Sequence, residues 1–172
     1  MKIVINPKDL VVDDSFQVFH KVRAVIKNDE GKYAITTESG KCIFPGGKLE
    51  NDEDVFTAIK RELLEELGIE FLDSEIKREF VLETLYDDYY DFRIKKFIPR
   101  YTVTTYFYIK TNKEINLGRM NLTSDEINQE FKIFFVSKDE LIKMINEDHS
   151  MAFNGKYFDL ENKIVFDKIL NK

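Results

Sequence analysis

Cysteine is almost missing from this chain of 172 residues, because Cys42 is its only cysteine. An internal disulfide bond is therefore excluded, nothing supports an oxidising compartment, and we expect the thiol to be a small buried hydrophobe. No stretch approaches the roughly 20 apolar residues of a membrane span, and the N-terminal segment lacks the apolar core of a signal peptide. We expect a cytoplasmic protein without a membrane partner.

Linkers and repeats are missing as well, and the three prolines are scattered along the chain. These absences predict one domain. Hydrophobic residues make up 43% of the chain and charged residues 34%, which is the balance of a globular protein with a core. The net charge of −6 argues against binding to a DNA or RNA duplex, which depends on Lys and Arg. A phosphorylated ligand would need a bound cation beside so many carboxylates.

Runs of β-branched and aromatic residues predict strands at residues 19–26, 32–37, 41–44, 80–86, 102–110 and 131–136. The first two should form a hairpin, since Gly31 and acidic residues between them supply turn chemistry. Helices are expected at residues 54–67, after a capping box that begins at Ser137, and at residues 160–170. Strands that are segregated from helices favour an α+β fold.

The helix at residues 54–67 has the clearest boundaries. Its apolar residues recur every fourth position, which predicts one buried stripe: Val55, Ile59, Leu63 and Leu67. Gly68 follows as the expected C-terminal stop. Asn51 or Asp52 can cap the start, and the acidic residues at 52–54 favour the positive end of the helix dipole.

Three carboxylates lie on one face of this helix. Glu62, Glu65 and Glu66 occupy positions i, i+3 and i+4, so their Cβ atoms are about 5–6 Å apart. Like charges at this spacing oppose one another and need a compensating cation. Mg²⁺ fits, because it takes a few carboxylates and completes its octahedron with water and phosphate oxygens.

The residues around the carboxylates complete a cation site. Gly46 and Gly47 precede the helix and let backbone groups approach a metal or a phosphate without interference from a Cβ atom. Arg61 can hold a neighbouring carboxylate in place, with Glu53 as its expected partner. An ordinary solvated helix could also carry the short pattern KRELLEELG. The spacing of the whole segment therefore has to distinguish a cation site from such a helix.

The whole spacing resembles the Nudix box at every defining position. Five residues separate Gly47 from Glu53, seven more precede Arg61, and the rest reads RELLEELGI up to Ile69. Asp52 is the one visible departure, since many members have glycine there, and it alters the loop without removing a ligand. The resemblance directly covers 23 residues, Gly47 to Ile69.

This resemblance implies a fold, a cofactor and an activity. The fold would be the Nudix fold, a mixed β-sheet sandwiched between helices (α/β/α). Glu62, Glu65, Glu66 and the carbonyl of Gly46 would bind Mg²⁺ or Mn²⁺, and Gly47 would lie at the substrate. Glu62, Glu66 and Arg61 would serve catalysis, the hydrolysis of a nucleoside diphosphate linked to another group by attack of water on phosphorus.

Several questions stay open at this level. The substrate could be a nucleoside triphosphate, a nucleotide sugar such as ADP-ribose, or a dinucleoside polyphosphate, and the oligomeric state, monomer or homodimer, does not follow from the sequence. A catalytically weak Nudix protein that senses a nucleotide metabolite is the alternative, although the intact carboxylates argue against it. Isopentenyl diphosphate isomerase shares the fold, but its catalytic cysteine motif is absent here.

Residues outside the box carry weaker signals. In several Nudix enzymes a late loop supplies a glutamate base, and here Glu126 or Glu130 could serve, with Glu62 as the base if neither does. Residues 86–101 interleave aromatic and basic side chains, which predicts an exposed loop or a substrate contact. His20 and His149 lack metal-ligand spacing, and we interpret them as a strand residue and a helix-end residue.

Overall fold

The computed structural model describes residues 1–38, 41–91, 94–128, 130–147 and 154–170. Its elements in chain order are strands and helices with these bounds: β1 Lys2–Ile5, β2 Gln17–Lys27, β3 Tyr33–Glu38, β4 Lys41–Ile43, α1 Val55–Leu67, β5 Ile76–Asp91, β6 Lys96–Lys110, α2 Ser124–Asn128, β7 Lys132–Val136, α3 Lys138–Asn146 and α4 Gly155–Val165. A π turn, Phe166–Leu170, follows α4. In this part of the chain no helix is long and apolar enough to cross a membrane.

The strands form one mixed sheet in the order β1-β5-β6-β2-β3-β4, and β7 pairs with β3. The central strand β2 runs parallel to β6 along its whole length, from Gln17 beside Arg100 to Lys27 beside Lys110. The predicted hairpin is confirmed, since β2 and β3 are antiparallel through Lys27 and Tyr33. Strand β1 was not predicted, and β5 and β6 are longer than their sequence patterns indicated.

Helix α1 covers one face of this sheet. Its buried side chains include Ile59, Leu63 and Leu67, which pack in one cluster with Val22 of β2 and Phe107 of β6. Burying each side chain of this size contributes about 1.5–3 kcal/mol. The packing fixes the helix against β2, and its carboxylate-bearing face therefore lies beside the loop that follows β4.

Helices α3 and α4 cover the opposite face. Leu141 of α3 and Val165 of α4 share a second cluster with Val25, Ile35 and other strand residues. The capping box that Ser137 and Glu140 form at the start of α3 confirms the predicted helix start. A mixed sheet between helices is the predicted α/β/α arrangement of the α+β class, which is confirmed.

The prediction of the residue that caps α1 is wrong. Asp54, and neither Asn51 nor Asp52, caps α1, because its carboxylate accepts the backbone N–H groups of Phe56 and Thr57. Asp52 instead adopts a left-handed conformation with φ 63°, in the turn before the helix. No acidic residue lies in the first turn of α1.

The aromatic and basic segment at residues 86–101 is mainly two strand ends and not a loop. Residues 86–91 belong to β5 and residues 96–101 to β6, where Tyr90 pairs with Phe97. Extended pairing satisfies the backbone and lets alternate side chains reach the face under α4. Phe92 and Arg93 of this segment lie outside the described residues, as does His149.

Candidate active site

The loop between β4 and α1 is joined to β2 by backbone hydrogen bonds. Val22 donates to the Gly47 carbonyl at 2.9 Å and Ala24 to the Pro45 carbonyl at 2.8 Å. Gly46 is required here, because its φ is +127° and a Cβ atom would lie 2.3 Å from the Val22 carbonyl oxygen. A side chain would therefore separate the loop from the strand.

Both polar groups of the Gly46 peptide are held. Its N–H donates to Oε2 of Glu66 at 2.8 Å, and its carbonyl accepts a hydrogen bond from the guanidinium of Arg23. The same guanidinium nitrogen donates to the Phe44 carbonyl at 2.9 Å. The loop, β2 and the end of α1 thus meet at one rigid peptide group.

The second glycine lies against a carboxylate of the helix. A Cβ atom on Gly47 would come within 2.4 to 2.5 Å of the carboxylate atoms of Glu62. Only hydrogen fits at this position while Glu62 keeps its place. Gly47 therefore sets how closely the Glu62 carboxylate approaches the loop backbone.

Arg61 connects most of the remaining carboxylates. Its Nε and Nη2 atoms bind both oxygens of Glu53, each at 2.9 Å, and this is the expected partner. Its Nη1 donates to Glu62 and Glu65 at 3.0 Å each, and Nη2 also reaches the Lys48 carbonyl at 3.0 Å. The planar guanidinium suits such a fork, and it ties the helix face to the loop.

Burial gives the site carboxylates different proton affinities. Glu66 is 2% exposed, and burial raises its pKa well above the usual range despite Arg23 and the Gly46 N–H. Burial also raises the pKa of Glu62, against the opposing charge of Arg61. The hydrogen bonds from Arg61 lower the pKa of Glu53. Glu62 and Glu66 therefore hold their negative charge at a cost that a nearby cation would remove.

The expected metal ligands are neighbours but do not form a finished cage. Among the described residues, no three carboxylate, His or Cys side chains are gathered closely enough to hold a metal ion. The carboxylates of Glu62 and Glu65 face Arg61, and that of Glu66 faces the Gly46 N–H. The Gly46 carbonyl, the fourth expected ligand, is occupied by Arg23.

The two late-loop candidates differ in position. Glu126 lies close enough to Glu66 for its charge to raise the pKa of Glu66. Its Oε2 accepts the backbone N–H of Thr123 at 2.6 Å and the Thr123 hydroxyl at 2.7 Å. Glu130 is exposed and left-handed, with φ 53°, in the turn after α2. Glu126 thus lies within electrostatic range of Glu66, and among the described residues Glu130 has no corresponding link to the site.

Cys42 is 3% exposed, and burial raises the pKa of its thiol to about 12. A buried thiol with a raised pKa is a poor nucleophile, so cysteine chemistry is excluded at this position. His20 lies in β2, as predicted.

Arg23 is a site residue that sequence reasoning missed. It lies in a strand two residues from Lys21, and nothing in the local pattern relates either side chain to the distant glycine loop. Only the pairing of β2 with residues 45–49 brings the Arg23 guanidinium to the Gly46 carbonyl. The alternation of side chains along a strand puts Lys21 and Arg23 on one face of β2, and this is the one signal in the sequence that relates them.

The chain is similar to known proteins in its sequence and in its fold. Residues 20–154 match the family model of the NUDIX domain. The fold is similar to the Mutator MutT protein from Bacillus halodurans, with 19% identity, a TM-score of 0.54 and coverage of 73% of this chain and 72% of that one. The MutT protein from Methanosarcina mazei Go1 gives 19% identity, a TM-score of 0.53 and coverage of 88% and 99%.

A bifunctional NMN adenylyltransferase/ADP ribose pyrophosphatase from Francisella tularensis has 20% identity and a TM-score of 0.53. The similarity covers 88% of this chain and 41% of that one. No curated protein matches the sequence. At these identities the solved structures establish the fold. The family model covers most of the chain, and residues 47–69 resemble the Nudix box. The chain therefore belongs to the Nudix family of diphosphate hydrolases.

Proposed function

We propose that the protein is a divalent-metal-dependent hydrolase that cleaves the diphosphate linkage of a nucleoside diphosphate joined to another group. The observation that carries this proposal is the Gly46 peptide, which is held between Glu66 and Arg23, followed by Gly47, which lies against the buried carboxylate of Glu62. Buried acidic groups with raised pKa values favour a cation, and a glycine backbone without a Cβ atom lets phosphate oxygens approach.

The residues fit a hard cation such as Mg²⁺ or Mn²⁺. Glu62, Glu65 and Glu66 offer carboxylate oxygens on one helix face, and Gly46 offers a carbonyl oxygen, which are the donor types that these ions prefer. When bound, the metal would neutralise the diphosphate and lower the pKa of water. Release of the carboxylates from Arg61, and of the Gly46 carbonyl from Arg23, would accompany its binding.

The protein's own side chains would position the reactants. Arg61 keeps Glu53 and the loop carbonyl of Lys48 fixed, so that the helix and the loop cannot separate. Arg23 carries a positive charge at the Gly46 carbonyl, where it can meet a phosphate oxygen. Glu126 is the base that we favour, because its charge acts on Glu66 and a carboxylate can take a proton from the attacking water.

A substrate panel tests the proposal. The protein is incubated with nucleoside triphosphates, nucleotide sugars and dinucleoside polyphosphates, with Mg²⁺ or Mn²⁺, and the products are identified by mass. Cleavage of a diphosphate linkage that EDTA abolishes reversibly is the expected result. Tight binding without turnover of any compound would instead identify a sensor, and turnover in metal-free buffer would contradict the metal requirement.

A further inference from the structure

The segment that leads from β4 into the glycine loop is held at every backbone carbonyl. Arg23 and the backbone of β2 hold the carbonyls of residues 44–47. The Ile43 carbonyl accepts a hydrogen bond from the Thr36 hydroxyl of β3 at 2.8 Å. The Cys42 carbonyl accepts one from Nδ2 of Asn162 at 2.8 Å. Asn162 belongs to α4, 120 residues further along the chain, so one support of this segment comes from outside the sheet.

Asn162 occupies a position of α4 at which packing alone would favour an apolar residue. It is 5% exposed and lies in the buried stripe of the helix that also contains Tyr157 and Val165. Asparagine forms helices less readily than leucine, and a buried amide loses its contacts with water. The hydrogen bond to the Cys42 carbonyl replaces one of those contacts. This bond, and neither packing nor helix propensity, therefore accounts for asparagine at this position.

Sheet pairing gives β4 little support of its own. The strand has three residues, and in the described part of the chain it pairs with β3 alone. A short strand at the edge of a sheet makes few ladder hydrogen bonds. The bond from Asn162 therefore helps to fix where β4 ends and where the glycine loop begins.

A shift of β4 would reach Gly46 through Arg23. One guanidinium nitrogen, Nη1, donates to the carbonyls of both Phe44 and Gly46. Phe44 is 1% exposed and follows β4 directly. If β4 moves, the Phe44 carbonyl moves with it, and Nη1 cannot keep both contacts. The Gly46 carbonyl, one of the expected metal ligands, then loses its fixed direction.

The same helix acts on Arg23 through charge. Burial raises the pKa of the Glu161 carboxyl, and the positive charges of Lys21 and Arg23 oppose that rise. Glu161 immediately precedes Asn162 in α4. The helix thus supports the loop in two ways, through a hydrogen bond to β4 and through a charge that attracts Arg23.

We propose that Asn162 is a positioning residue of the active site, which holds the Gly46 peptide in place for the metal ion through β4. The proposal rests on the metal-dependent hydrolase function and adds to that site a residue from outside the Nudix box. Residues that orient metal ligands without touching the ion change metal affinity or activity about 10–100-fold when they are removed. We expect an effect at the lower end of this range, because Asn162 acts through β4.

Amide hydrogen exchange in EDTA provides the first test, because it needs neither metal nor substrate. In Asn162→Ala the Gly46 amide, which Glu66 holds at 2.8 Å, should exchange about tenfold faster relative to the amides of β6. Val165→Ala is the matched control, since it removes buried volume from the same helix and no hydrogen bond to β4. It should lower the melting temperature and leave the relative exchange of Gly46 unchanged. Equal protection of Gly46 in Asn162→Ala and the wild type would overturn the proposal.

Metal binding and turnover provide the second test. Calorimetry measures the affinity for Mn²⁺ without substrate, and kinetics measure the Mg²⁺ concentration for half-maximal turnover, both well below the melting temperature of each variant. Asn162→Ala should bind Mn²⁺ about tenfold more weakly and need about tenfold more Mg²⁺, whereas Val165→Ala should keep the wild-type values. Equal shifts in the two variants, or no shift in either, would show that Asn162 serves only the stability of the fold.

Asn162→Asp removes the donor without leaving a cavity. It keeps the shape of the side chain and turns an acceptor toward the Cys42 carbonyl, so it should weaken Mn²⁺ binding at least as much as Asn162→Ala. Wild-type affinity in Asn162→Asp would contradict the assigned hydrogen bond. Either variant decides if the other does not fold, and failure of both to fold would make Asn162 a structural residue and overturn the proposal.

The outcomes separate this proposal from the hydrolase function. If the wild type binds Mn²⁺ but hydrolyses no compound of the panel, the hydrolase proposal fails, and the Mn²⁺ affinities decide on Asn162. If the wild type is active and the Asn162 variants match Val165→Ala, only the assignment of Asn162 fails. A wild type that binds no Mn²⁺ would overturn both.

Discussion

Replacing Gly47 with alanine isolates the contact between the loop and the helix. The added Cβ atom would lie 2.4 Å from Glu62 Oε1 and 2.5 Å from its other carboxylate atoms, whereas ordinary contact begins at 3.4 Å. The carboxylate must therefore move by about 1 Å. Because it ends a flexible side chain, it can move while the backbone stays in place.

The expected loss is large for activity and small for stability. A displacement of about 1 Å in an active site can slow a reaction roughly a hundredfold, which corresponds to about 2.7 kcal/mol. The stability cost is mainly the weakened hydrogen bond between Glu62 and Arg61, about 1 kcal/mol, and this lowers the melting temperature by about 2–4 °C.

Thermal melting and steady-state kinetics are measured on the same preparations. Gly46→Ala is the matched control, because its Cβ atom would meet the backbone oxygen of Val22 at 2.3 Å and its φ is +127°. That variant should lose stability first. On a Glu62→Gln background, Gly47→Ala should have little further effect, since its target is already lost. Wild-type turnover in Gly47→Ala, or additive effects in the double variant, would refute the reasoning.

Three further substitutions test other parts of the site. Glu126→Gln should lower turnover about 10²–10⁴-fold without changing the Mg²⁺ requirement, while Glu130→Gln stays near wild type; equal effects would remove Glu126 as the favoured base. Arg61→Lys cannot keep the contacts with both oxygens of Glu53 and with the Lys48 carbonyl that hold the helix to the loop, so the Mg²⁺ concentration needed for half-maximal turnover should rise about 10–100-fold. Burial and the neighbouring arginines lower the pKa of Lys21, so between this lowered pKa and 10.5 the folded protein binds fewer protons than the unfolded one, and wild-type stability rises with pH in that window. Lys21→Met should therefore melt higher than wild type at pH 7, and the difference should shrink by pH 10.

Sequence alone predicted the parts of the site that are local in the chain. The stripe of Ile59, Leu63 and Leu67 fixed which face of α1 is buried, and hence which face presents Glu62 and Glu66. Regular spacing is enough for such a prediction, because a helix repeats the same geometry at every turn. The Arg61 contact with Glu53 followed in the same way from the box.

Parts assembled from distant segments could not be predicted. Arg23 reaches the Gly46 carbonyl only because β2 pairs with the loop, and Glu161 meets Lys21 only because α4 packs on the sheet. The helix cap was also predicted wrongly, because more than one residue before α1 can serve as a cap. Several acidic and amide residues precede α1, and each could cap the helix. Asp54 is the cap, because Asp52 lies in a left-handed turn.

The most direct test of the central claim is turnover as a function of Mg²⁺ concentration in the wild type and in Glu66→Gln. Glu70→Gln is the control, because Glu70 is exposed and pairs with Arg119 away from the Gly46 loop. The wild type and the control should need Mg²⁺ and lose all activity in EDTA. Glu66→Gln should be slowed roughly a hundredfold and should need more Mg²⁺. Near-normal turnover and Mg²⁺ dependence in Glu66→Gln, or full wild-type turnover in EDTA, would contradict the metal-dependent site.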